Sequence, residues 1–196
     1  VTTNSSHLQA YIASFNNHGK NLKKYFAPTT YDSFPYFHES LGSNYRLTEM
    51  QSAIGIHQLG KIKSWNRIRE RNATILLNAI KGLDAINSPV LPGNYQHAWY
   101  KLYLTLNPRS LKKSSSRKQI IRSLNAQNVP CSFGGSGEMY KERAFAKTTR
   151  KKGGFLPNAS FLEQNSLMLQ VHPTITQEEC SRRAIILKTI IKNAQK

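Results

Sequence analysis

A short polar loop carries the side chains in this sequence that are best suited to chemistry. Residues 42–48 read Gly42-Ser43-Asn44-Tyr45-Arg46-Leu47-Thr48, and an apolar-periodic segment follows at once. A loop of this kind, placed directly before a helix, can deliver a side chain to an anion. On the residues alone, the simpler interpretation is that Asn44 occupies a turn or a left-handed position before the helix, as asparagine commonly does.

The helix that follows this loop has a well-specified start. Thr48 and Gln51 have the spacing of a capping box, and Glu49 in the first turn suits the positive end of the helix dipole. Apolar residues then recur in helical steps as far as Leu83, with Gly82 near the end. A helix of this length exceeds the usual range, so we expect it to bridge two domains or to contain a kink.

The other elements are shorter. We predict a helix over Ser6 to Asn16, and then a long ordered loop rich in aromatic residues as far as Leu47. The later sequence predicts strands within residues 97–106, 129–133 and 167–171, and helices after Ser116, through Met139 to Ala146, and after Thr176. This alternation of strands and helices indicates a compact α/β domain from about residue 84 onward.

The charge of the chain is unusually positive. There are 28 Lys and Arg against 10 Asp and Glu, which gives a formal net charge of +18 and a pI near 10.1. Such a charge is typical of proteins that bind nucleic acid. The basic residues form short, scattered clusters, however, without a nucleic-acid motif or an aromatic-interleaved strand for base stacking. Solvated faces are the simpler interpretation, and a basic nucleic-acid-binding module stays as the alternative.

Several classes of protein are disfavoured by what the sequence lacks. No apolar run approaches the ~18 residues of a membrane span, and the first residues do not resemble a secretory signal. We therefore expect a soluble, cytoplasmic protein without a membrane partner. Cys131 and Cys180 stand far apart and lack companion ligands, so neither a disulfide framework nor a metal site is indicated.

Residues 42–51 resemble a family signature. They match the Gly-x-Asn-Tyr-Arg-(Leu/Met)-Thr-(Glu/Asp)-x-Gln pattern of the DegT/DnrJ/EryC1/StrS sugar aminotransferases. His18-Gly19 is similar to a His-Gly pair of that family, and Gln58-Leu59 with Arg67 and Arg71 is similar to its Gln-Leu and Arg-bearing helix. Residues 130–140, 156–159 and 166–174 resemble runs of a subset, with Ser136 and Gly137 where the subset has Cys and Ser. The similarities span essentially the whole chain, in the family's order.

The resemblance implies a fold-type I aminotransferase that uses pyridoxal phosphate to aminate nucleotide-linked keto sugars for surface polysaccharide or amino-sugar biosynthesis, with glutamate as the expected amino donor. It implies that Asn44 reaches the cofactor phosphate of the neighbouring subunit in a homodimer, and that Arg46 orients Asn44 or adds charge. Arg46 could equally form a structural ion pair with Glu39 or Glu49. Matching by position also implies that His172 contacts substrate, and the alternative is a structural role beside Pro173.

The same resemblance places the family's Schiff-base lysine before Val1. In the family that lysine precedes a Gly-Glu-Gly-Gly turn, and Val1-Thr2-Thr3-Asn4 is similar to the strand just after it. The acidic partner of the pyridine nitrogen and the residues that stack on the ring are expected there as well. We therefore assign no catalytic residue within the chain.

The chain accordingly resembles the C-terminal half of the fold. Residues 1–62 are expected to be a remnant of the large cofactor-binding domain, with the active-site loop and the start of the bridging helix. Residues 63–196 are expected to be the rest of that helix and a small α/β domain. Such a fragment should be inactive alone, and it could complement a chain that carries the lysine. A dehydratase branch of the family has histidine in place of the lysine, and it stays an alternative because the deciding position lies off the chain.

Overall fold

Two units make up the chain in the computed structural model, residues 1–60 and residues 61–196. The structure describes residues 2–27, 36–135, 137–145 and 156–196. This division does not identify the first unit. The expectation that residues 1–62 are a remnant of the large cofactor-binding domain therefore stays a prediction.

The first unit has almost no core of its own. It contains α1, Ser6–Phe15, α2, Leu22–Phe26, and the beginning of α3, Glu49–Ile80. The side chains of Ser5 and Asn21 cap the first two helices. Among its described residues only Gly19 is buried. Helix α2 lies within the predicted aromatic loop, of which Pro28, Tyr31, Phe34 and Pro35 are outside the described residues.

The capping box at the start of α3 is confirmed. The N–H of Gln51 donates to Thr48 Oγ1 at 3.2 Å, and the N–H of Thr48 donates to Gln51 Oε1 at 3.0 Å. The helix has 32 residues and extends from the first unit into the second. Its buried residues, Asn72, Ala73, Leu76 and Ile80, all lie in its last third. Only the C-terminal part of α3 therefore belongs to a core, and the rest of the helix has no buried residue.

The second unit contains a four-stranded antiparallel sheet. Its strands are β1, Ile86–Asn87, β2, Leu102–Leu106, β3, Cys131–Phe133, and β4, Ser166–Leu169, in the spatial order β1-β2-β4-β3. Leu104 pairs with Leu167, and Cys131 pairs with Leu169. The three predicted strands exist, but each is shorter than expected. Within the strand predicted for residues 97–106, Trp99 has a φ of +45°, which is incompatible with an extended strand. Strand β2 therefore begins only at Leu102.

Three more helices pack around this sheet. Helix α4, Arg117–Ala126, has the predicted capping box between Ser116 and Gln119, and α6, Gln177–Ala194, has Thr176 as its N-cap. Helix α5, Pro157–Asn165, was not predicted. The predicted helix through Met139 to Ala146 is wrong as an α-helix. The chain forms two 3-10 helices there, Met139–Lys141 and Arg143–Phe145, and Ala146 lies outside the described residues.

The hydrophobic core of the second unit lies between the sheet and the helices. Its largest fully buried apolar side chains come from α3, the sheet and its flanking residues, α4 and α6. They are Leu76, Leu102, Leu104, Leu106, Leu124, Val129, Leu167, Leu169, Val171, Leu187 and Ile191. The two cysteines, Cys131 and Cys180, are buried and free, and burial raises the pKa of the Cys131 thiol to about 11. All described buried apolar residues thus belong to the second unit.

Burial on one face of β2 leads to the first prediction. Leu104 is 1% exposed, whereas its neighbour Tyr103 on the opposite face is 44% exposed. We expect Leu104→Ala to lower the free energy of unfolding by about 2–5 kcal/mol, because a cavity forms where the chain cannot collapse. Tyr103→Ala is the matched control and should cost clearly less. Urea unfolding of the two variants gives the comparison, and equal losses would contradict the assigned face.

Candidate functional site

The loop that carries Asn44 is attached to the end of α1 by main-chain hydrogen bonds. The N–H of His18 donates to the carbonyl of Ser43 at 3.2 Å, and the N–H of Ser43 donates to the carbonyl of Phe15 at 2.8 Å. Asn17 and Asn44 form an antiparallel bridge. Since few side chains are buried here, backbone pairing determines where Asn44 lies.

Two glycines allow this backbone contact. Gly19 has a φ of +78°, and a Cβ there would lie 1.8 Å from the carbonyl oxygen of Ser40. A Cβ on Gly42 would lie 2.3 Å from the nitrogen of Gly19 and 2.7 Å from the carbonyl oxygen of Phe15. Neither distance is tolerable for a side chain. The His18-Gly19 and Gly42-Ser43-Asn44 motifs, separate in sequence, are therefore the two sides of a single contact.

Asn44 and Arg46 are in direct contact. Asn44 Oδ1 accepts from the backbone N–H of Arg46 at 3.3 Å and from Arg46 Nε at 3.1 Å. Both residues are exposed. The first bond is the local turn interaction weighed as an alternative for Asn44. The second orients the two side chains relative to each other, and it leaves Asn44 Nδ2 and the terminal nitrogens of Arg46 as hydrogen-bond donors.

The ion pairs considered for Arg46 are absent from the part of the chain that the structure describes. Glu39 instead pairs with Lys24 at 2.5 Å and accepts from Asn21 Nδ2 at 2.8 Å. These bonds lower the pKa of Glu39, with Lys24 as the main cause. Glu49 has no salt bridge with Arg46 either. Arg46 consequently keeps its charge available beside Asn44.

The donors of Asn44 and Arg46 suit a phosphate group. An amide N–H and a guanidinium both bind phosphate oxygens, and the guanidinium adds a charge-assisted bond. The oxygen of Asn44 faces Arg46, which turns the amide nitrogen away from that contact. The residues present therefore fit the phosphate of a cofactor, which is the group that the resemblance implies.

His172 lies in the second unit, in the turn that follows β4. Its Nδ1 accepts from the backbone N–H of Thr174 at 3.3 Å and lies 2.8 Å from Thr174 Oγ1. Because a backbone N–H donates to Nδ1, the neutral ring carries its proton on Nε2. The side chain is exposed, so Nε2–H is a donor that a ligand can reach.

A buried asparagine fastens the His172 turn to α3, and the sequence analysis missed it. Asn72 is 0% exposed, and its Nδ2 donates to the carbonyls of His172 at 3.2 Å and Ile175 at 3.4 Å. Its Oδ1 accepts from Arg71 Nη2 at 2.9 Å, and Arg71 Nη2 also donates to the carbonyl of Ile175 at 3.1 Å. A polar residue adjoining Ala73 and Leu76 on the buried side of a helix was the signal available in the sequence.

The subset motif at residues 130–140 contacts α5, which begins within the motif at residues 156–159 and ends just before the motif at residues 166–174. The N–H of Glu138 donates to Glu163 Oε2 at 2.8 Å. The buried Glu138 carboxylate accepts from Lys141 and Tyr140, and these bonds lower its pKa. Ser136 lies outside the described residues. The buried carboxylate of Glu138 thus lies where this motif contacts α5.

Comparison with known proteins identifies the family. A sequence profile of the DegT/DnrJ/EryC1/StrS aminotransferase family matches residues 1–187. The chain belongs to this family. The fold agrees, because the crystal structure of the aminotransferase from Psychrobacter cryohalolentis superposes with a TM-score of 0.89 at 33% identity, over 98% of this chain and 51% of that chain. The predicted fold class, α/β of the fold-type I pyridoxal phosphate aminotransferases, is confirmed.

Relatives in the DegT/DnrJ/EryC1/StrS family include two kinds of enzyme. The chain is 25% identical over 188 residues to UDP-N-acetyl-3-dehydro-alpha-D-glucosamine 3-aminotransferase of Acidithiobacillus ferrooxidans, over 96% of the chain and 44% of that protein. It is 26% identical to GDP-4-keto-6-deoxy-D-mannose 3-dehydratase of Escherichia coli O55:H7, over 96% of the chain and 49% of that protein. The chain spans about half the length of the curated relatives it matches. Across the described ranges, none of the helices combines the length and apolarity of a membrane span.

The glycine contact leads to the second prediction. Gly42→Ala would force the loop away from the end of α1, so we expect the hydrogen-exchange protection of the Ser43 amide to fall at least ~10-fold. Gly55 lies in α3 with nothing within 4 Å of an added Cβ. Gly55→Ala is therefore the control, and it should leave that protection unchanged while stabilising the helix by about 0.5–1 kcal/mol.

The third prediction concerns the clamp on the His172 turn. Asn72→Ala removes the donor to the His172 carbonyl and an acceptor of the Arg71 guanidinium, while Arg71 keeps its bond to the Ile175 carbonyl, so we expect a loss of about 1–3 kcal/mol in the free energy of unfolding. The exposed Asn78 on the same helix is the control, and Asn78→Ala should change stability by less than about 0.5 kcal/mol. Denaturant unfolding measures both. The structure would be wrong at this contact if the two variants matched.

Proposed function

We propose that this chain forms part of a pyridoxal phosphate-dependent aminotransferase that acts on a nucleotide-linked keto sugar. The observation that carries the proposal is the Asn44–Arg46 pair, whose geometry leaves an amide donor and a guanidinium side by side on a rigidly attached loop. Membership in the family supports it, as does the printed activity of the relative from Acidithiobacillus ferrooxidans. The proposed setting is the cytoplasmic synthesis of amino sugars for polysaccharides.

In this proposal Asn44 and Arg46 hold the cofactor phosphate. Asn44 Nδ2 donates to one phosphate oxygen, and a terminal nitrogen of Arg46 adds a charge-assisted bond. Their mutual hydrogen bond limits the rotation of both side chains, so less entropy is lost when the phosphate binds. Pyridoxal phosphate, when bound, supplies an electron sink for the transfer of the amino group. The proposed role of Asn44 and Arg46 is to anchor that group.

The apolar surface beside the pair favours a protein partner. Tyr45 is 69% exposed, Leu47 68%, Met50 77% and Ile54 58%, and all four lie in the first unit near Asn44 in sequence. Exposed apolar side chains in this number mark a contact surface. We propose that the partner is a neighbouring subunit, whose cofactor phosphate Asn44 binds in a homodimer with shared sites. The Schiff-base lysine then lies outside these 196 residues, and the chain by itself is inactive.

His172 is proposed to contact the sugar nucleotide. Its exposed Nε2–H can donate to a substrate oxygen, while Thr174 and Asn72 hold the ring and its backbone. The proposed amino donor is glutamate.

The dehydratase branch is the second candidate function. The relative from Escherichia coli O55:H7 carries that name at the same level of identity as the aminotransferase relative. Nothing in the Asn44 loop separates the two reactions, because both would use the same phosphate anchor.

The fourth prediction tests the phosphate anchor. The chain is co-expressed with a chain that carries the lysine-bearing half of the family fold, and cofactor affinity is followed by the absorbance of bound pyridoxal phosphate. We expect Asn44→Ala to weaken that affinity about 10- to 100-fold, the loss typical of a hydrogen bond to a charged group. Asn94→Ala, in an exposed turn of the second unit, is the control.

The same assembly separates the proposed activities. Transfer of the amino nitrogen of glutamate to the nucleotide-linked sugar supports the aminotransferase. Loss of a sugar hydroxyl without transfer of nitrogen supports the dehydratase. An unchanged cofactor affinity in Asn44→Ala would remove the phosphate role whichever reaction occurs.

A further inference from the structure

A basic cavity of about 350 Å³ lies in the second unit, and its lining does not include Asn44, Arg46 or His172. It is formed by the turn between β2 and α4, the end of α5, and the C-terminal residues. Its cationic lining consists of Lys112, Lys113, Arg117 and Lys196, and no Asp or Glu lines it. The hydroxyls of Ser115 and Ser116 add polar groups to the wall.

Tertiary structure brings these cations together from distant parts of the chain. The N–H of Lys112 donates to the carbonyl of Ala194 at 2.9 Å, and the N–H of Lys196 donates to the carbonyl of Ser110 at 3.0 Å. The two segments therefore lie side by side. In the sequence the same residues appear only as parts of two short basic clusters and as a distant lysine.

Two of the cations are oriented without being neutralised. Lys112 Nζ donates to the carbonyl of Asn193 at 2.9 Å, and Arg117 donates to the carbonyls of Glu163 and Ser166. Carbonyl oxygens position a cation but leave its net charge intact. Within the described ranges none of the four lining cations takes part in a salt bridge. The lining thus carries four basic side chains and no acidic side chain.

The grouping of these cations is electrostatically unfavourable when no anion is bound. Like charges that line one cavity repel each other, and the chain as a whole has 28 Lys and Arg against 10 Asp and Glu. Arg117 and Lys118 also occupy the first turn of α4, which has no acidic residue, although a cation is unfavourable at that end of a helix. A bound anion would relieve both costs.

We propose that this cavity binds a small polyanion with two or more phosphate groups. Several basic side chains along one cavity favour a ligand with several charges, and the volume is at the lower end of that of small-molecule sites. Aromatic residues for base stacking are missing from the lining, and the walls are concave, which favours a small ligand over a nucleic-acid strand. The inference does not depend on the aminotransferase function.

Inorganic tripolyphosphate is the probe for the test. Isothermal titration of the 196-residue chain at about 0.15 M salt, where the Debye length is about 8 Å, suppresses diffuse attraction. We expect saturable binding at one site per chain. The double variant Lys112→Ala/Lys113→Ala should bind at least ~10-fold more weakly. The double variant Lys101→Ala/Lys188→Ala removes the same net charge away from the cavity, so its affinity should match that of the unchanged chain.

Thermal unfolding gives an independent readout. Tripolyphosphate should raise the Tm of the unchanged chain and of the Lys101→Ala/Lys188→Ala variant, because a ligand that binds only the folded state stabilises it. The Tm of Lys112→Ala/Lys113→Ala should respond much less, and its cooperative transition without ligand shows that it is folded. Equal weakening in both double variants, absence of saturation, or duplex DNA that binds more tightly than tripolyphosphate and displaces it would overturn the proposal.

Discussion

The close backbone contact between Gly19 and Gly42 is the constraint on which the candidate site depends. A Cβ on Gly19 would lie 1.8 Å from the carbonyl oxygen of Ser40, and a Cβ on Gly42 would lie 2.3 Å from the nitrogen of Gly19, so a side chain at either position would collide with backbone. Because the two segments approach this closely, the carbonyls and N–H groups of Phe15, His18 and Ser43 can bond to each other. The loop is then held on α1 without a hydrophobic core. That contact determines where Asn44 and Arg46 lie.

The second unit relies on a different interaction. Apolar side chains of α3, α4, α6 and the sheet are removed from water together, and this burial supplies most of its stability. The buried Asn72 is the exception within that core, and its hydrogen bonds are all satisfied by the His172 turn and Arg71. A polar group in such a place specifies a single arrangement, since any other would leave it unpaired. His172 therefore sits on a turn that the core itself holds.

Both units expose large apolar side chains, and the basic cavity belongs to the second unit. The membership of the chain in the DegT/DnrJ/EryC1/StrS family and its span of about half the length of its relatives give the exposed apolar residues a simple interpretation as contact surface. The basic lining of the cavity includes no acidic side chain, which is the basis for the proposed anionic ligand.

The sequence by itself determined the features that depend on neighbouring residues. The capping boxes at Thr48 and Ser116 were predictable because their partners lie three residues away, and the family signature was legible because it is contiguous. Tertiary structure decided the rest. The strand predicted from residue 97 was shortened by the conformation of Trp99, whose indole donates to Glu70 on α3. The meeting of Gly19 with Gly42, of Asn72 with His172, and of Lys112 with the C-terminal segment could not be deduced, because each requires distant parts of the chain to approach, and local propensities do not contain that information.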